Sequence, residues 1–553
     1  YELIDFTSPF CFEMSRGLVV PIVKSTSRRI YITEICNGVP NDAKWLNYLQ
    51  SQGQLIGFTD LSDWERNDVT ATMASKSLTV GDIPSARMPT TQIYSLNFSN
   101  NLLSNISFLN LVEVVREELN FNNNRINNIA GLGRLQKIKN LKLSNNDIES
   151  LDRMEEINEI NYLNLSYNPN LDDISILRNV SGTLELRINN TAIPTLVPIE
   201  NFNSLIYLDI SNTPLNDISP LANLTPNTVI MKNPLELEIK PDFNSQFCQA
   251  YYNKLINVTY NGSDVYYVDI CSNVPAHIAW LDFFNKENQL TNFATFDKWL
   301  NTNTTANISA RNLINNRLPQ QTFELSSIYD LDISYNNLEN VSFLNGVATI
   351  RNNLNLEGND LIDFTGLDTL VSINDLTVSN NPMVEFAPQE LNSVNNLEIN
   401  NNASLETISL PKLSTLTGNL LIENNPLLTT LENPLLTTIG GDVSINNTSL
   451  SNMNINGVDF QGALSIENNT GLTNFIQDSI AGIELDYTLN NNAFTNAIIG
   501  GGNINRSLII ENNQGLEDIT INTINNLGRF LQITSNPDLT NIYIDNILNQ
   551  GDN

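Results

Sequence analysis

A phrase of eight residues recurs along most of the chain and restricts its fold more than any other feature. It is clearest at Leu141–Ile148, which reads LKLSNNDI and has apolar residues at its first, third and eighth positions. Further phrases begin at Leu96, Leu119, Leu163, Leu186 and Leu208, and then at Leu331, Leu354, Leu376, Leu397, Leu420, Val443, Leu464, Tyr487, Leu508 and Leu531. Within each run they begin 21 to 23 residues apart, since 397 − 376 is 21 and 119 − 96 is 23. A period in the twenties predicts a stacked solenoid.

The alternation of apolar and polar residues at the start of each phrase predicts a short strand with one buried face. One coil cannot bury that face alone, so its neighbours must cover it. The sixth residue is usually Asn, which we expect at the bend after the strand because Asn tolerates unusual backbone angles and bonds nearby main-chain groups. The expected Asn ladder comprises Asn146, Asn168, Asn336, Asn359, Asn381, Asn402, Asn425, Asn469, Asn513 and Asn536.

The chain also repeats itself at an offset of 235 residues. Trp45 then aligns with Trp280, and Leu96 aligns with Leu331. This tandem duplication predicts four segments: an N-terminal cap at 1–92, a first array at 93–240, a second cap at 241–327 and a second array at 328–553. Apolar residues at helical spacing predict that each cap is partly helical.

Four cysteines lie in the two caps. They permit three disulfide connectivities, and the duplication favours Cys11–Cys36 and Cys248–Cys271. Disulfides would indicate an oxidising compartment and therefore an extracellular or cell-surface location. Metal binding is the alternative, but the sequence has no CxxC pair and a single His.

The repeated phrases resemble the leucine-rich repeat family. In the first array, Leu215–Thr225 (LNDISPLANLT) is close to the short repeats of bacterial internalins. In the second array, Gly418–Leu431 (GNLLIENNPLLTTL) and Gly440–Leu450 (GGDVSINNTSL) are similar to cell-surface repeats of the receptor-L-domain type. The resemblance implies a mainly β solenoid, with parallel strands on one face and short helices, 3-10 turns or coil on the other. It does not identify a ligand.

The charge excludes several classes of partner. Lys and Arg number 28 against 60 Asp and Glu, a formal net charge of −32. A chain this acidic does not suit nucleic acid, whose phosphates need basic side chains. It has no apolar run of membrane-spanning length. We expect no cofactor and, at most, weakly bound calcium at acidic turns.

Glycosylation sequons are frequent, and a eukaryotic secretory protein could carry glycans on many of them. An Asn-rich and Ser-rich chain also produces such motifs by chance. The candidate sites are Asn97, Asn105, Asn223, Asn257, Asn261, Asn303, Asn307 and Asn340, and the same motif occurs at Asn402.

The sequence shows no Ser-His-Asp or Cys-His constellation, and we expect a non-catalytic protein. The second and fourth positions of each phrase should face solvent and form the binding surface. These positions include Asn120, Lys142, Asn164, Arg187, Asp209, Asp332, Glu357, Glu398, Glu423, Glu467 and Glu511, with Tyr94, Tyr162, Tyr207 and Tyr329 beside them.

Two functions fit these features. The first is recognition or adhesion at a cell surface, with a protein or glycan partner bound on the sheet faces. The alternative is a structural subunit of a surface layer or extracellular filament, in which the chain assembles with itself through the array ends.

Overall fold

The computed structural model describes residues 2–19, 21–23 and 28–551. The chain divides into two compact units, Tyr1–Val274 and Pro275–Asn553. Each unit begins with helical segments and continues into coils that add strands to a growing parallel sheet.

The first unit is organised around a ten-stranded sheet in which every pairing but the last is parallel. The leucine that begins each phrase lies directly opposite the leucine of the next, as Leu141 does with Leu163. These leucines are fully buried because each coil covers the apolar face of its neighbour. The strands are Thr70–Thr72, Gln92–Asn97, Val114–Asn120, Lys137–Lys142, Glu159–Asn164, Glu185–Arg187, Tyr207–Asp209, Thr228–Ile230, Asn257–Tyr260 and Ser263–Asp264.

Short 3-10 turns follow the strands of the first array, as predicted. The first three of these turns contact each other in succession, and so do the fourth and fifth. They lie at Ser107–Leu109, Ala130–Leu132, Asp152–Met154, Ser175–Asn179, Val197–Ile199, Ser219–Asn223 and Pro234–Glu236.

The N-terminal cap holds the helices Pro9–Ser15, Asn41–Ser51 and Ser62–Arg66, and the 3-10 turns Ile32–Glu34 and Val80–Asp82. The Cys11–Cys36 disulfide joins the first helix to a short parallel pair, Ile4–Asp5 with Cys36–Asn37. A further antiparallel pair is Ile22–Val23 with Arg28–Arg29. The buried Trp45 donates a hydrogen bond from Nε1 to the Ala86 carbonyl at 2.8 Å, which ties the longest helix to the loop before the first full coil.

The predicted second cap at 241–327 spans the boundary between the two compact units. Residues 241–274 belong to the first unit, with the helices Gln246–Tyr252 and Tyr267–Ile270 and the Cys248–Cys271 disulfide. The reason lies in the strand Asn257–Tyr260, which pairs in parallel with Thr228–Ile230 and then turns back into a hairpin. This segment therefore closes the last edge of the first sheet.

The second unit starts with the helix Ala276–Lys286 and the 3-10 turns Phe296–Asn301 and Asn315–Arg317. Trp280 donates from Nε1 to the Gln321 carbonyl at 2.8 Å, the counterpart of the bond made by Trp45. The coil strands that follow are Thr305–Asn307, Ser327–Ile328, Asp330–Asp332, Thr349–Asn355, Ser372–Thr377, Ser393–Glu398, Leu420–Asn425, Val443–Thr448, Leu464–Glu467, Tyr487–Asn490, Leu508–Glu511 and Leu531–Thr534.

The two arrays differ on the side of each coil opposite the phrase strand, for which short helices, 3-10 turns or coil were predicted. After the 3-10 turn Ser342–Leu344, the described residues contain no helix and no further 3-10 turn. Glycines such as Gly418 and Gly441 let adjacent coils approach, because a Cβ on Gly441 would lie 2.6 Å from the Gly418 carbonyl carbon. The additional strands are Glu385–Phe386, Thr407–Ser409, Thr415–Leu416, Thr430–Glu432, Thr438–Ile439, Asp459–Phe460, Asn474–Ile483, Asn496–Ile504, Asp518–Leu527 and Asn541–Ile544.

The bend after each strand falls one residue earlier than predicted. The fifth residue of the phrase has a positive φ, such as 53° at Asn145 and 56° at Tyr167. This left-handed residue turns the chain inward. The sixth residue, Asn146, is consequently buried, with Nδ2 donating to the Phe121 and Leu143 carbonyls at 3.0 Å and Oδ1 accepting from the Ile126 amide.

The Asn ladder extends beyond the ten predicted members. Asn101, Asn124 and Asn492 occupy the same position and make equivalent bonds to main-chain groups. At Thr191 and Thr213 a hydroxyl replaces the amide and donates to a carbonyl three residues earlier. From Asn381 onward, ladder residues of neighbouring coils also hydrogen-bond to each other. For example, the Asn381 main-chain N–H donates to the side-chain Oδ1 of Asn402 at 2.8 Å.

Candidate functional site

The exposed face of the first sheet brings the predicted binding residues into one row. Asn120, Lys142, Asn164, Arg187 and Asp209 are successive partners on adjacent strands. A second row lies two residues earlier on each strand and contains Glu118, Asn140, Tyr162, Glu185 and Tyr207. Because neighbouring strands lie about 4.8 Å apart, side chains from both rows can touch.

Four of these side chains form what we term the first-sheet cluster: Lys142, Tyr162, Arg187 and Tyr207. The Arg187 Cζ lies 4.5 Å from the Tyr207 ring centroid and 5.8 Å from that of Tyr162. The Lys142 Nζ lies 5.7 Å from the Tyr162 centroid. These distances fit cation–π contacts, which hold the cationic groups in defined positions.

Arg187 is the member of the cluster with the most unused hydrogen-bonding capacity. Its Nε is buried and has no hydrogen-bond partner among the described residues. Its only ion pair in the described part of the chain is with Glu185, at a long 3.8 Å. Lys142, by contrast, is 2.5 Å from the Glu118 carboxylate. The guanidinium therefore remains able to bind a planar oxyanion.

The electrostatics of Tyr207 reflect this arrangement. Partial burial raises the pKa of the Tyr207 hydroxyl, and the positive charge of Arg187 opposes that rise. The ring is therefore neutral at physiological pH and presents its π face to the guanidinium.

The amides and carboxylates of the predicted row serve mainly to brace the sheet. Asn120 and Asn164 accept, through Oδ1, the main-chain N–H two residues later. Asp209 belongs to the same row but is only 8% exposed, and its Oδ1 accepts from both the N–H and the hydroxyl of Ser211. Among these residues, Lys142 and Arg187 remain as the candidate contacts.

The acidic residues predicted on the second array do not form a single cluster. Glu423, Glu467 and Glu511 share one row, but Asn446 and Asn490 separate them. Neighbouring Ser, Asn and Gln side chains donate to these carboxylates. Asp332 and Glu398 end earlier strands, and Glu357 lies two residues after one; all three are likewise hydrogen-bonded within the array.

No group of three or more His, Cys, Asp or Glu that could hold a metal occurs in the part of the chain that the structure describes. Weak calcium binding therefore has no assigned site and stays a prediction. Within the same residues, no helix is both long enough and apolar enough to cross a bilayer.

The sequons also stay predictions, and their surroundings differ. Asn223, Asn257, Asn261, Asn303 and Asn307 are exposed, whereas Asn97, Asn105 and Asn340 are half-buried.

The strand register and the buried amide ladder decide the architecture. The coils have the fold of leucine-rich repeats. No protein-family model and no curated protein matches the chain, but solved structures of leucine-rich repeat proteins do. Internalin C2 of Listeria monocytogenes is 20% identical, with 35% of this chain and 92% of that chain covered and a TM-score of 0.25.

Two other solved structures are similar. An internalin, InlF, of Listeria monocytogenes is 18% identical, with 65% of this chain and 82% of that chain covered and a TM-score of 0.24. The ectodomain of the Arabidopsis thaliana receptor kinase GASSHO1/SCHENGEN3 was solved in complex with CASPARIAN STRIP INTEGRITY FACTOR 2. It is 14% identical, with 87% of this chain and 70% of that chain covered and a TM-score of 0.26. Likenesses this distant carry no argument about function.

Proposed function

We propose that this leucine-rich repeat chain is a non-catalytic, extracellular or cell-surface recognition protein that binds a protein partner on the first sheet. The observation that carries the proposal is the Arg187 guanidinium, which is held against Tyr207 on a side chain that is 35% exposed. Its only ion pair among the described residues is the 3.8 Å contact with Glu185. Both cysteine pairs are oxidised in the structure, which supports an oxidising compartment.

The partner chemistry follows from the cluster. A carboxylate on the partner would form charge-assisted hydrogen bonds with Arg187. The two tyrosine rings supply flat apolar area at little cost in conformational entropy, as in other protein interfaces.

The test is a search for partners among extracellular proteins with the intact chain, followed by affinity measurement with variants. Arg187→Gln is expected to weaken binding about tenfold or more, since hydrogen bonds to charged groups contribute roughly 1.5–3 kcal/mol. Lys412→Gln is the matched control, because it removes one positive charge from an exposed ion pair with Glu390 in the second array. A partner that binds the wild type and Arg187→Gln equally well would refute the assignment of this surface.

Glycan binding on the sheets and assembly into a surface layer or filament stay predictions. Both would be recognised in the same experiment, by recovery of glycans or of the chain itself in place of a protein partner.

A further inference from the structure

The N-terminal cap contains a groove of about 770 Å³ that includes no member of the first-sheet cluster. The helix Asn41–Ser51 contributes Lys44, Asn47 and Tyr48 to its wall, and residues 78–85 form another wall. Tyr31 also lines the groove. Its volume falls in the usual range for small-molecule sites, about 300–1,000 Å³.

Tyr48 is the unusual residue of this groove. The side chain is only 3% exposed, and its hydroxyl has no hydrogen-bond partner among the described residues. Burial raises the pKa of this hydroxyl, so it is neutral and able to donate at physiological pH. Its ring packs 5.8 Å from Tyr31 and 6.0 Å from Trp45, measured between centroids. A buried hydroxyl without a partner is unfavourable, and a bound ligand would remove that cost.

The duplicated cap shows that packing does not require the hydroxyl. At the offset of 235 residues, Phe283 stands in place of Tyr48 and is equally buried, at 2% exposure. Arg317 stands in place of Asp82, and Ala279 in place of Lys44. The hydroxyl and the carboxylate are thus present together in the first cap and absent together from the second.

Asp82 provides an acceptor in the groove. Its Oδ2 accepts from the Thr79 N–H at 2.8 Å and the Thr79 hydroxyl at 2.6 Å, and these bonds hold the pKa of Asp82 below its usual value. Its Oδ1 makes no hydrogen bond with the described residues. Lys44 contributes the opposite charge, so the groove favours a ligand without net charge.

We propose that this groove binds a short neutral oligosaccharide, with Tyr31 packed on a sugar ring and with Tyr48 and Asp82 hydrogen-bonded to its hydroxyl groups. The aromatic rings suit the apolar faces of a sugar, and the mixture of one donor, one ionised acceptor and one cation suits its many hydroxyls. The inference is independent of the protein-binding face, because the two surfaces share no residue.

The experiment uses the full chain on an array of neutral and charged glycans, followed by calorimetric titration with cellotriose, mannotriose and the trimer of N-acetylglucosamine. We expect at least one neutral trisaccharide to bind. Tyr48→Phe is expected to reduce its affinity about three- to tenfold, and Asp82→Asn about tenfold or more. Tyr48→Phe should fold normally, since Phe283 occupies the equivalent position, and its melting temperature without sugar should equal or exceed that of the wild type.

The matched control is Tyr266→Phe, which alters the counterpart of Tyr31 in the second cap and should leave sugar binding unchanged. The proposal is overturned if no neutral glycan binds, if only charged glycans bind, or if neutral sugars bind Tyr48→Phe and Asp82→Asn as tightly as the wild type. Retention of protein-partner binding in these two variants would show that the first sheet acts separately.

Discussion

The Arg187 guanidinium stacks on the Tyr207 ring, with 4.5 Å between Cζ and the ring centroid. The two residues come from adjacent strands and lie diagonally, because Arg187 pairs with Asp209 and Tyr207 pairs with Glu185. The contact positions a partly exposed guanidinium on the face of the sheet, whereas its Nε is buried and has no hydrogen-bond partner among the described residues. It also couples the charge of Arg187 to the ionisation of Tyr207.

That coupling predicts the effect of removing the charge. Burial raises the pKa of Tyr207 and Arg187 lowers it, so Arg187→Gln should raise the pKa of Tyr207 further. The measurement is a pH titration of the Tyr207 ring by NMR with labelled tyrosine. Lys412→Gln, distant in sequence and in the other compact unit, should leave the titration unchanged. An unaltered or lowered pKa in Arg187→Gln would contradict the stacked geometry.

The ladder predicts different costs for two substitutions at one position. Asn168 is fully buried; its Nδ2 donates to the Leu143 and Leu165 carbonyls, and its Oδ1 accepts from the Ile148 amide. Asn168→Ala leaves these groups unpaired and should destabilise the array by about 1–3 kcal/mol. Asn168→Thr should cost less, because Thr191 keeps one equivalent bond in the adjacent coil.

Denaturant unfolding and the hydrogen-exchange protection of the Ile148 amide would measure this difference. Equal destabilisation by both substitutions would mean that the side-chain volume of Asn168, and not its hydrogen bonds, stabilises the bend.

The coil architecture was predictable because it is local and repeated. A single strand phrase such as Leu141–Ile148 determines which side chains turn inward, and repetition multiplies the signal. The disulfide pairing followed from the duplication in the same way. The left-handed residue was harder to identify, because Tyr167 and Tyr335 stand at positions where Asn or Gly is favoured.

The features that depend on neighbouring coils were not predictable. Phrase spacing alone does not show that the strand Asn257–Tyr260 extends the first sheet, since its pairing is set by Thr228–Ile230. The first-sheet cluster likewise needs four adjacent strands in register to bring its four members together. The sequence also could not show that the Tyr48 hydroxyl lacks a hydrogen-bond partner among the described residues, because this depends on how the cap packs.

Burial makes glycan occupancy at two sequons a test of the fold. Asn402 is fully buried and its main-chain N–H donates to Asn425 Oδ1 at 2.9 Å, whereas Asn261 is exposed in a hairpin turn with a φ of 50°. If the chain is secreted from eukaryotic cells, the folded product should carry glycan at Asn261 and not at Asn402. Glycopeptide mass spectrometry measures both. A secreted, stable product with glycan at Asn402 would contradict the ladder.

Tyr487 predicts how stability depends on alkaline pH. It is fully buried, its hydroxyl has no partner among the described residues, and burial raises the pKa of that hydroxyl well above its usual value of 10. The unfolded chain therefore loses this proton near pH 10 while the folded chain keeps it. The contribution of the neutral hydroxyl is complete below about pH 10 and is lost as pH rises through the folded pKa.

Tyr487→Phe removes both the unpaired hydroxyl and this dependence on pH. It should equal or exceed the wild type in stability at about pH 7, by up to roughly 1–3 kcal/mol, because the substitution removes a buried donor that has no partner among the described residues. It should also lose less stability between about pH 9 and about pH 11. Tyr543→Phe is the control, since Tyr543 is 58% exposed and should change neither quantity. The measurement is the free energy of unfolding across this pH range. If it fell equally steeply with pH in Tyr487→Phe and in the wild type, Tyr487 would not be buried as the structure has it.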